Sequence, residues 1–268
     1  MFEFSFDQAA GLRSAIPVAP ARLLPIAATA QPARGYELLC SLASRLAHED
    51  QQVVIVDASA KESELRGGAD GRHLGLLQVL RDPSVAGLGR PVDQAEWLVL
   101  PGARGLQALV NTAAAAGPDV ALSRLLVPFA AGALVLLYGA ASSLSALLKG
   151  SEAQVLVPLL AQPQASIDAY GSVKLLHTAG LRPALAPLAD EAGDERADIH
   201  RLEETVLDCA QRHLGLHLAS WPEHTWAHRT LEAALMAPRR QSLSYAQGPM
   251  PRHDDKPSRR VHAHFSWS

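Results

Sequence analysis

The stretch AATAQPARGYELL, residues 27–39, lies between an apolar run and an amphipathic helical pattern, where many nucleotide enzymes hold a phosphate-binding loop. Such a loop needs several glycines so that backbone amides converge on the anion, a lysine for the outer phosphates and a hydroxyl for magnesium. This stretch has one glycine and no lysine, Pro32 removes an amide donor, and Glu37 adds a repelling charge. Arg34 could replace a lysine as a phosphate ligand, although an arginine on a loop is more often simply solvated. The position of this stretch in the sequence therefore fits a phosphate-binding loop, but its residue types do not.

Histidines four residues apart can share one face of a helix and bind zinc. The chain has two such pairs and a closer pair near its C-terminus, namely His213/His217, His224/His228 and His262/His264. No carboxylate or cysteine completes a ligand set nearby, and the two cysteines, Cys40 and Cys209, form neither a disulfide framework nor a metal set. We therefore expect no metal site.

Short apolar runs indicate the elements that would position these residues. Runs of four to eight apolar residues without strict alternation predict strands covered on both faces. The runs are Leu23–Thr29, Val53–Asp57, Trp97–Leu100, Leu134–Tyr138 and Gln154–Leu160.

Helical patterns separate several of these runs. Leucines and an alanine recur at helical spacing within residues 38–46, and a second helix is predicted from Ser166, as N-cap, to Gly180. The alternation predicts an α/β domain with a mostly parallel central sheet flanked by helices. In such a domain the ligand site lies at the carboxyl ends of the strands, where the opening stretch is placed.

Composition limits the other function classes. A chain of 268 residues with 48% hydrophobic and 19% charged residues can bury one sizeable core. The formal charge of -3 gives no global attraction to nucleic acid or to anionic lipid. The N-terminus, MFEFSFDQ, lacks a basic region before an apolar run, so we expect a cytoplasmic protein.

One uncharged segment, residues 125–148, is long enough to span a bilayer. Gly139 and the serines that follow it predict a buried strand, a turn and a helix instead. Residues 238–268 are rich in proline, arginine and polar residues and are predicted to be disordered.

Two motifs carry a resemblance to a known family. Asp7 to Arg13, DQAAGLR, resembles the DQAxxLR element that precedes the ATPase domain of the FlhG/FleN family, the MinD-like regulators of flagellar number and placement. Residues 162–174, QPQASIDAYGSVK, resemble the EPTSITDAYALIK segment of that family. Two further stretches, 51–59 and 76–109, are similar in the same collinear order, so the resemblance covers residues 7–235.

The resemblance implies a MinD-like P-loop NTPase fold in residues 21–237, preceded by an N-terminal partner-activating helix and linker in residues 1–20. Within that family, the DQAxxLR element docks on the signal-recognition-particle-type GTPase FlhF and stimulates GTP hydrolysis, with the Gln as a catalytic contact. Asp7, Gln8, Leu12 and Arg13 are then the partner-binding residues. The alternative is that this helix folds back on its own domain and buries Leu12.

The nucleotide-binding motifs of that family are altered in this chain. Aligned from Ser41-Leu42-Ala43, the family's loop KGGVGKT falls on residues 30–36. Ala30 and Gly35 replace the lysines, Tyr36 replaces the magnesium-binding threonine, Tyr138 replaces a metal-coordinating Asp, and only Asp57 is kept. Losing two charge-assisted lysine contacts costs about 3 to 6 kcal/mol, or about two to four decades of affinity. We expect a degenerate site without hydrolysis, where ATP and magnesium bind only if the loop keeps some affinity.

These observations predict a pseudo-ATPase that regulates flagellar assembly, number or placement by binding FlhF. The alternatives are an ATPase with a non-standard phosphate loop and a scaffold for the flagellar switch complex (C-ring) or a flagellar transcription regulator. Relatives dimerise on binding ATP and then bind membranes more strongly, so a chain with a lost site is expected to be a monomer. Residues 226–236 resemble a membrane-targeting helix faintly, and core packing is the expectation there. The protein could be recruited from the cytoplasm to the cell pole or to the inner membrane face. We expect its direct contact with the membrane to be weak or absent, and we expect no nucleic acid partner.

Overall fold

Apolar strands form an eight-stranded sheet at the centre of the chain. Seven strands are parallel in the order β3-β2-β4-β1-β5-β6-β7, and the short β8 pairs antiparallel with the start of β1. The strands are β1 Arg22–Ala27, β2 Val53–Asp57, β3 Leu98–Pro101, β4 Leu134–Gly139, β5 Gln154–Leu160, β6 Arg182–Leu188, β7 Ala219–Ser220 and β8 Leu235–Met236. Every residue of β2 and β4 is buried, as expected for parallel strands covered on both faces.

The computed structural model describes residues 19–63, 75–82, 84–89, 96–162, 164–188 and 193–236. The DQAAGLR element and the predicted tail 238–268 lie outside these ranges. The described helices are α1 Pro32–His48, α2 Leu76–Arg81, α3 Ala103–Ala116, α4 Pro118–Leu126, α5 Ala141–Leu147, α6 Ala165–Thr178, α7 Gly193–Leu214 and α8 Trp226–Ala233, with a 3-10 turn at Glu223–Thr225.

The helices cover the two faces of the sheet separately. On one face, Leu38, Leu42 and Leu46 of α1 pack with Trp226 of α8 against the inner strands. Helices α2 to α7 bury a larger cluster on the opposite face. Trp226 is completely buried and its indole Nε1 donates to the Trp221 carbonyl oxygen at 2.7 Å. The expected core packing of this segment is therefore confirmed at Trp226, whereas Met236 at its end is 60% exposed.

Several predicted elements match the structure and others need correction. The runs Val53–Asp57 and Gln154–Leu160 are strands with the predicted bounds, whereas Leu23–Thr29 is wrong at its end because β1 stops at Ala27. The apolar runs did not predict β6. Pro183 and Pro187 interrupt its pattern, but β6 still pairs with β5 along its whole length.

Two helix boundaries differ from the prediction. Ser166 is not an N-cap, since α6 begins at Ala165 and Gln164 takes the capping position. His213 and His217 do not share a helical turn, because α7 ends at Leu214 and Gly215 has a positive φ of 63°. The uncharged segment is β4 followed by α5, as predicted, and no described helix is long and apolar enough to cross a membrane.

Candidate nucleotide site

The carboxyl ends of β2, β4 and β1, which are neighbours in the sheet, lie side by side at the edge where α1 begins. In the parallel register, Tyr138 of β4 pairs with Ile26 of β1 on one side and with Asp57 of β2 on the other. Ile26 and Tyr138 belong to the core cluster that faces α1. The sheet thus brings Asp57 and Tyr138 to the edge where Gly35 and Tyr36 of α1 are placed, as the sequence predicted.

The segment aligned with a phosphate loop is mostly helix. The predicted loop, Ala30 to Tyr36, is corrected by the structure, because α1 begins at Pro32 and only residues 28–31 connect it to β1. Proline favours the first turn of a helix, since its φ is already helical and its missing N–H would have no partner there. The Gly35 amide donates to the Gln31 carbonyl oxygen at 3.1 Å, as in an ordinary helical turn.

Tyr138 fills the space beneath this turn. Its side chain is 1% exposed, and its hydroxyl accepts a hydrogen bond from the Thr29 amide at 3.0 Å. A Cβ built on Gly35 would lie 2.9 Å from Cζ of Tyr138 and closer still to its hydroxyl, an approach that real Cβ atoms do not make. Gly35 is therefore packed against the phenol, and a lysine at this position would collide with it.

The carboxylate of Asp57 accepts hydrogen bonds from the turn that follows β2. Oδ1 of Asp57 accepts from the Ser59 amide at 2.9 Å and from the Ser59 hydroxyl at 2.6 Å. Asp57 is 7% exposed. Asp57 and Ser59 thus form a closed hydrogen-bonded turn directly after β2.

Tyr36 stands at the position of the magnesium-binding threonine and is 37% exposed. Burial raises the pKa of its phenol above the ordinary value of 10.0, with smaller contributions from the charges of Asp57 and Cys40. Burial also raises the pKa of the Cys40 thiol. Both groups therefore stay protonated at neutral pH.

Arg34, the candidate substitute for the missing lysines, forms an ion pair with Glu37. Nη1 of Arg34 contacts Oε2 of Glu37 at 2.6 Å, one helical turn away, and the Arg34 side chain is 21% exposed. This ion pair neutralises the guanidinium locally. A phosphate would have to compete with Glu37 for it.

A small cavity lies beside the loop, between β5 and α6. Its volume is about 140 Å³, and Gln31, Gln162 and Asp168 are among its lining residues. The side-chain amides of Gln31 and Gln162 hydrogen-bond to each other and join the β1–α1 loop to the residues after β5. Ligand pockets are typically about 300 to 1,000 Å³, so this cavity is too small for a nucleotide.

The side chains at this edge are not those that bind magnesium and ATP in the family that the sequence resembles. The positions of both lysines, of the hydroxyl ligand and of the coordinating Asp hold Ala30, Gly35, Tyr36 and Tyr138. Among the residues that the structure describes, no group of three or more metal-binding side chains is present either.

Glu62 has a structural role that the sequence did not reveal. Its Oε2 accepts from the Leu77 amide at 3.0 Å and its Oε1 from the Gly105 amide at 2.7 Å. One carboxylate thus satisfies donors in the first turns of α2 and α3, where an anion is favoured. Leu77 is 15 positions from Glu62 and Gly105 is 43 positions from it, so no local sequence pattern indicates these contacts.

The architecture is that of MinD/ParA-type P-loop NTPases, which confirms the predicted fold. A plasmid partition protein from Borrelia burgdorferi superposes with a TM-score of 0.50 at 12% identity, over 80% of this chain and 99% of that one. McdA from Cyanothece, in an ATP complex, gives 0.49 at 15% identity, over 78% and 88% of the two chains. The MinC:MinD cell division complex of Aquifex aeolicus gives 0.41 at 13% identity, over 77% and 85%.

At these identities the similarity defines the fold and nothing finer. No protein-family model matches the sequence, and no curated protein matches it. The fold is a P-loop NTPase architecture, and at the carboxyl edge of its sheet the side chain of Tyr138 packs against the backbone of Gly35.

Proposed function

We propose that this chain is a non-hydrolysing, MinD-like regulator of flagellar assembly, number or placement that acts by binding FlhF. The observation that supports the loss of hydrolysis is the position of Tyr138. Its phenol occupies the space next to Gly35, and the phenol hydroxyl accepts a hydrogen bond from the Thr29 amide. The groups that would neutralise a transferring phosphoryl are replaced at the same edge.

The chemistry of the N-terminal element supports the choice of partner. DQAAGLR combines an uncharged amide side chain, Gln8, with an acid and a base that can pair with a partner, Asp7 and Arg13. A glutamine supplied to a GTPase can orient the attacking water or hold a phosphoryl oxygen. Such a contribution needs no nucleotide in the donor protein, so it is compatible with a filled site.

GTP turnover by the flagellar GTPase tests this proposal directly. The full-length chain should accelerate turnover, and Gln8→Ala should remove the acceleration while binding is retained. Gln107→Ala is the matched control, because Gln107 is an exposed glutamine of α3 that contacts only Asn111 among the hydrogen bonds described. Absence of acceleration by the unaltered chain would exclude FlhF activation as its function.

A second comparison separates a co-activator from a scaffold. Deleting residues 1–20 should abolish binding to FlhF if the DQAAGLR element carries the contact. A scaffold for the C-ring or for a transcription regulator would keep its partner after this deletion, because it uses the surface of the domain. The proposal places the protein in the cytoplasm, with recruitment to the pole through its partner.

A further inference from the structure

The cavity between β5 and α6 has an apolar floor. Ala27 at the end of β1, Val157 of β5 and Ala169 of α6 line it, and each of the three is at most 3% exposed. An apolar cavity of about 150 Å³ in a protein interior takes up a molecule of the size of benzene. At about 140 Å³, this cavity therefore has room for a compact organic molecule of that size.

One wall of the cavity is a polar stripe on α6 and its N-cap. Gln164, Asp168 and Ser172 line this wall at intervals of four residues, so they share one side of the helix. Asp168 is the only charged residue among the described residues that line the cavity. In the ranges that the structure describes, no hydrogen bond or ion pair engages its carboxylate. The wall thus presents one negative charge, with a hydroxyl one helical turn further on.

The start of α6 is not open to an anion. The Ala165 amide donates to the Gln162 carbonyl oxygen at 3.0 Å. The amides of Ile167 and Asp168 donate to the Gln164 carbonyl oxygen at 3.1 and 3.2 Å. A helix N-terminus binds anions through free amides, and three of the first four in α6 already have acceptors. Since the charge of Asp168 also repels an anion, the cavity favours a cation.

We propose that this cavity binds a small organic cation, namely an ammonium or guanidinium group on a short apolar stem. The stem lies on the floor, and the cation lies at the Asp168 carboxylate with the Ser172 hydroxyl as a second acceptor. Burial of the stem favours binding, and the charge-assisted hydrogen bonds fix its direction. The site does not use the contact between Tyr138 and Gly35, and it does not depend on the proposed function.

n-Pentylamine, which is about as large as benzene, is the probe for this site. Amide NMR spectra of the labelled full-length chain should show saturable shifts, largest at Thr29, Asp168 and Ser172, with a Kd of about 0.1 to 10 mM. Pentan-1-ol has the same size and no charge, so it should bind about three- to tenfold more weakly. Pentanoate, which carries the opposite charge, should not bind. Sodium chloride at equal ionic strength controls for an effect of salt.

Variants of the polar wall test the same contacts from the protein side. Asp168→Asn keeps the size of the side chain and removes its charge, so pentylamine should bind about three- to tenfold more weakly. Asp119→Asn is the matched control, because Asp119 is an exposed acid in the first turn of α4 and does not line the cavity. It should leave the Kd unchanged. Ser172→Leu should abolish binding by filling the cavity, with the amide spectrum elsewhere unaltered.

Two results would overturn the proposal. One is the absence of saturable shifts up to about 50 mM pentylamine in a chain that gives a folded spectrum. The other is equal affinity for pentylamine and pentan-1-ol, which would show that the charge of Asp168 adds nothing.

The source of the cation is a separate arm of the experiment, because free alkylamines and the lysine side chains of other proteins share this chemistry. Nα-acetyl-lysine amide carries the same alkylammonium group on a peptide backbone. If it binds at least as tightly as pentylamine, the site takes a lysine side chain of a partner protein. If it binds more weakly, the backbone does not fit at the mouth of the cavity and the ligand is a free amine.

Discussion

The phenol of Tyr138 and the backbone of Gly35 are in direct contact at the carboxyl edge of the sheet, and each residue limits what the other position can hold. Tyr138 is 1% exposed and satisfies the Thr29 amide at 3.0 Å. Any side chain at residue 35 would have to displace it. The residues aligned with a loop lysine and with the metal-coordinating Asp, Gly35 and Tyr138, therefore depend on one another physically.

This contact predicts a strong non-additive effect on stability. Gly35→Ala should destabilise the chain by about 1 to 3 kcal/mol, because the new methyl overpacks against the phenol. In a Tyr138→Leu background the same change should be neutral or stabilising by up to about 1 kcal/mol, because alanine is then simply the better helix residue. Urea unfolding of the four proteins gives the coupling energy. Equal effects of Gly35→Ala in both backgrounds would show that the two residues do not compete for space.

Tyr36 should titrate later than an ordinary tyrosine. Burial raises the pKa of its phenol above 10.0, and the charge of Asp57 adds to this. The folded chain thus holds the proton to a higher pH than the unfolded chain does. The associated stability is complete below the ordinary pKa and is lost as the pH rises through the folded value.

Absorbance of tyrosinate resolves this titration. The chain has four tyrosines, and the difference between the unaltered protein and Tyr36→Phe isolates the late step. Asp57→Asn should move that step toward lower pH, while the amide oxygen still accepts the Ser59 hydrogen bonds. A difference titration centred at or below the ordinary pKa would contradict the arrangement of these side chains.

Glu62 should contribute to stability through both helices that it caps. Glu62→Ala removes the acceptor of the Leu77 and Gly105 amides, and the loss should be about 2 to 4 kcal/mol. Thermal or urea unfolding measures it. Glu49→Ala is the matched control, since Glu49 is an exposed acid at the end of α1, and it should change stability by less than about 0.5 kcal/mol. A Glu62 variant as stable as that control would mean that the two hydrogen bonds add nothing net.

Much of the fold follows from local patterns in the sequence. The runs Val53–Asp57 and Gln154–Leu160 predict strands with the observed bounds, because a buried parallel strand is a short uninterrupted apolar run. β6 could not be predicted in this way. Its prolines are typical of turns, and its pairing with β5 along its whole length and with β7 at Ala184 and Leu185 makes it a strand.

The packing of the candidate site could not be predicted from the sequence. Sequence alignment places Gly35 and Tyr138 at the positions of a lysine and an aspartate, which predicts two losses. It does not predict that the second residue fills the space left by the first, because that requires the register of β1 with β4 and the early start of α1. Pro32 was a signal for this start, since proline is favoured in the first helical turn.

Calorimetric titration of the full-length chain with ATP and magnesium tests the central claim, that the nucleotide site is closed. The account predicts no saturable heat up to about 1 mM nucleotide, and no rise in unfolding temperature at the same concentrations. Cooperative unfolding of the same sample shows that the chain is folded. Saturable binding with a micromolar Kd, accompanied by a higher unfolding temperature, would contradict the claim and establish a reshaped nucleotide site.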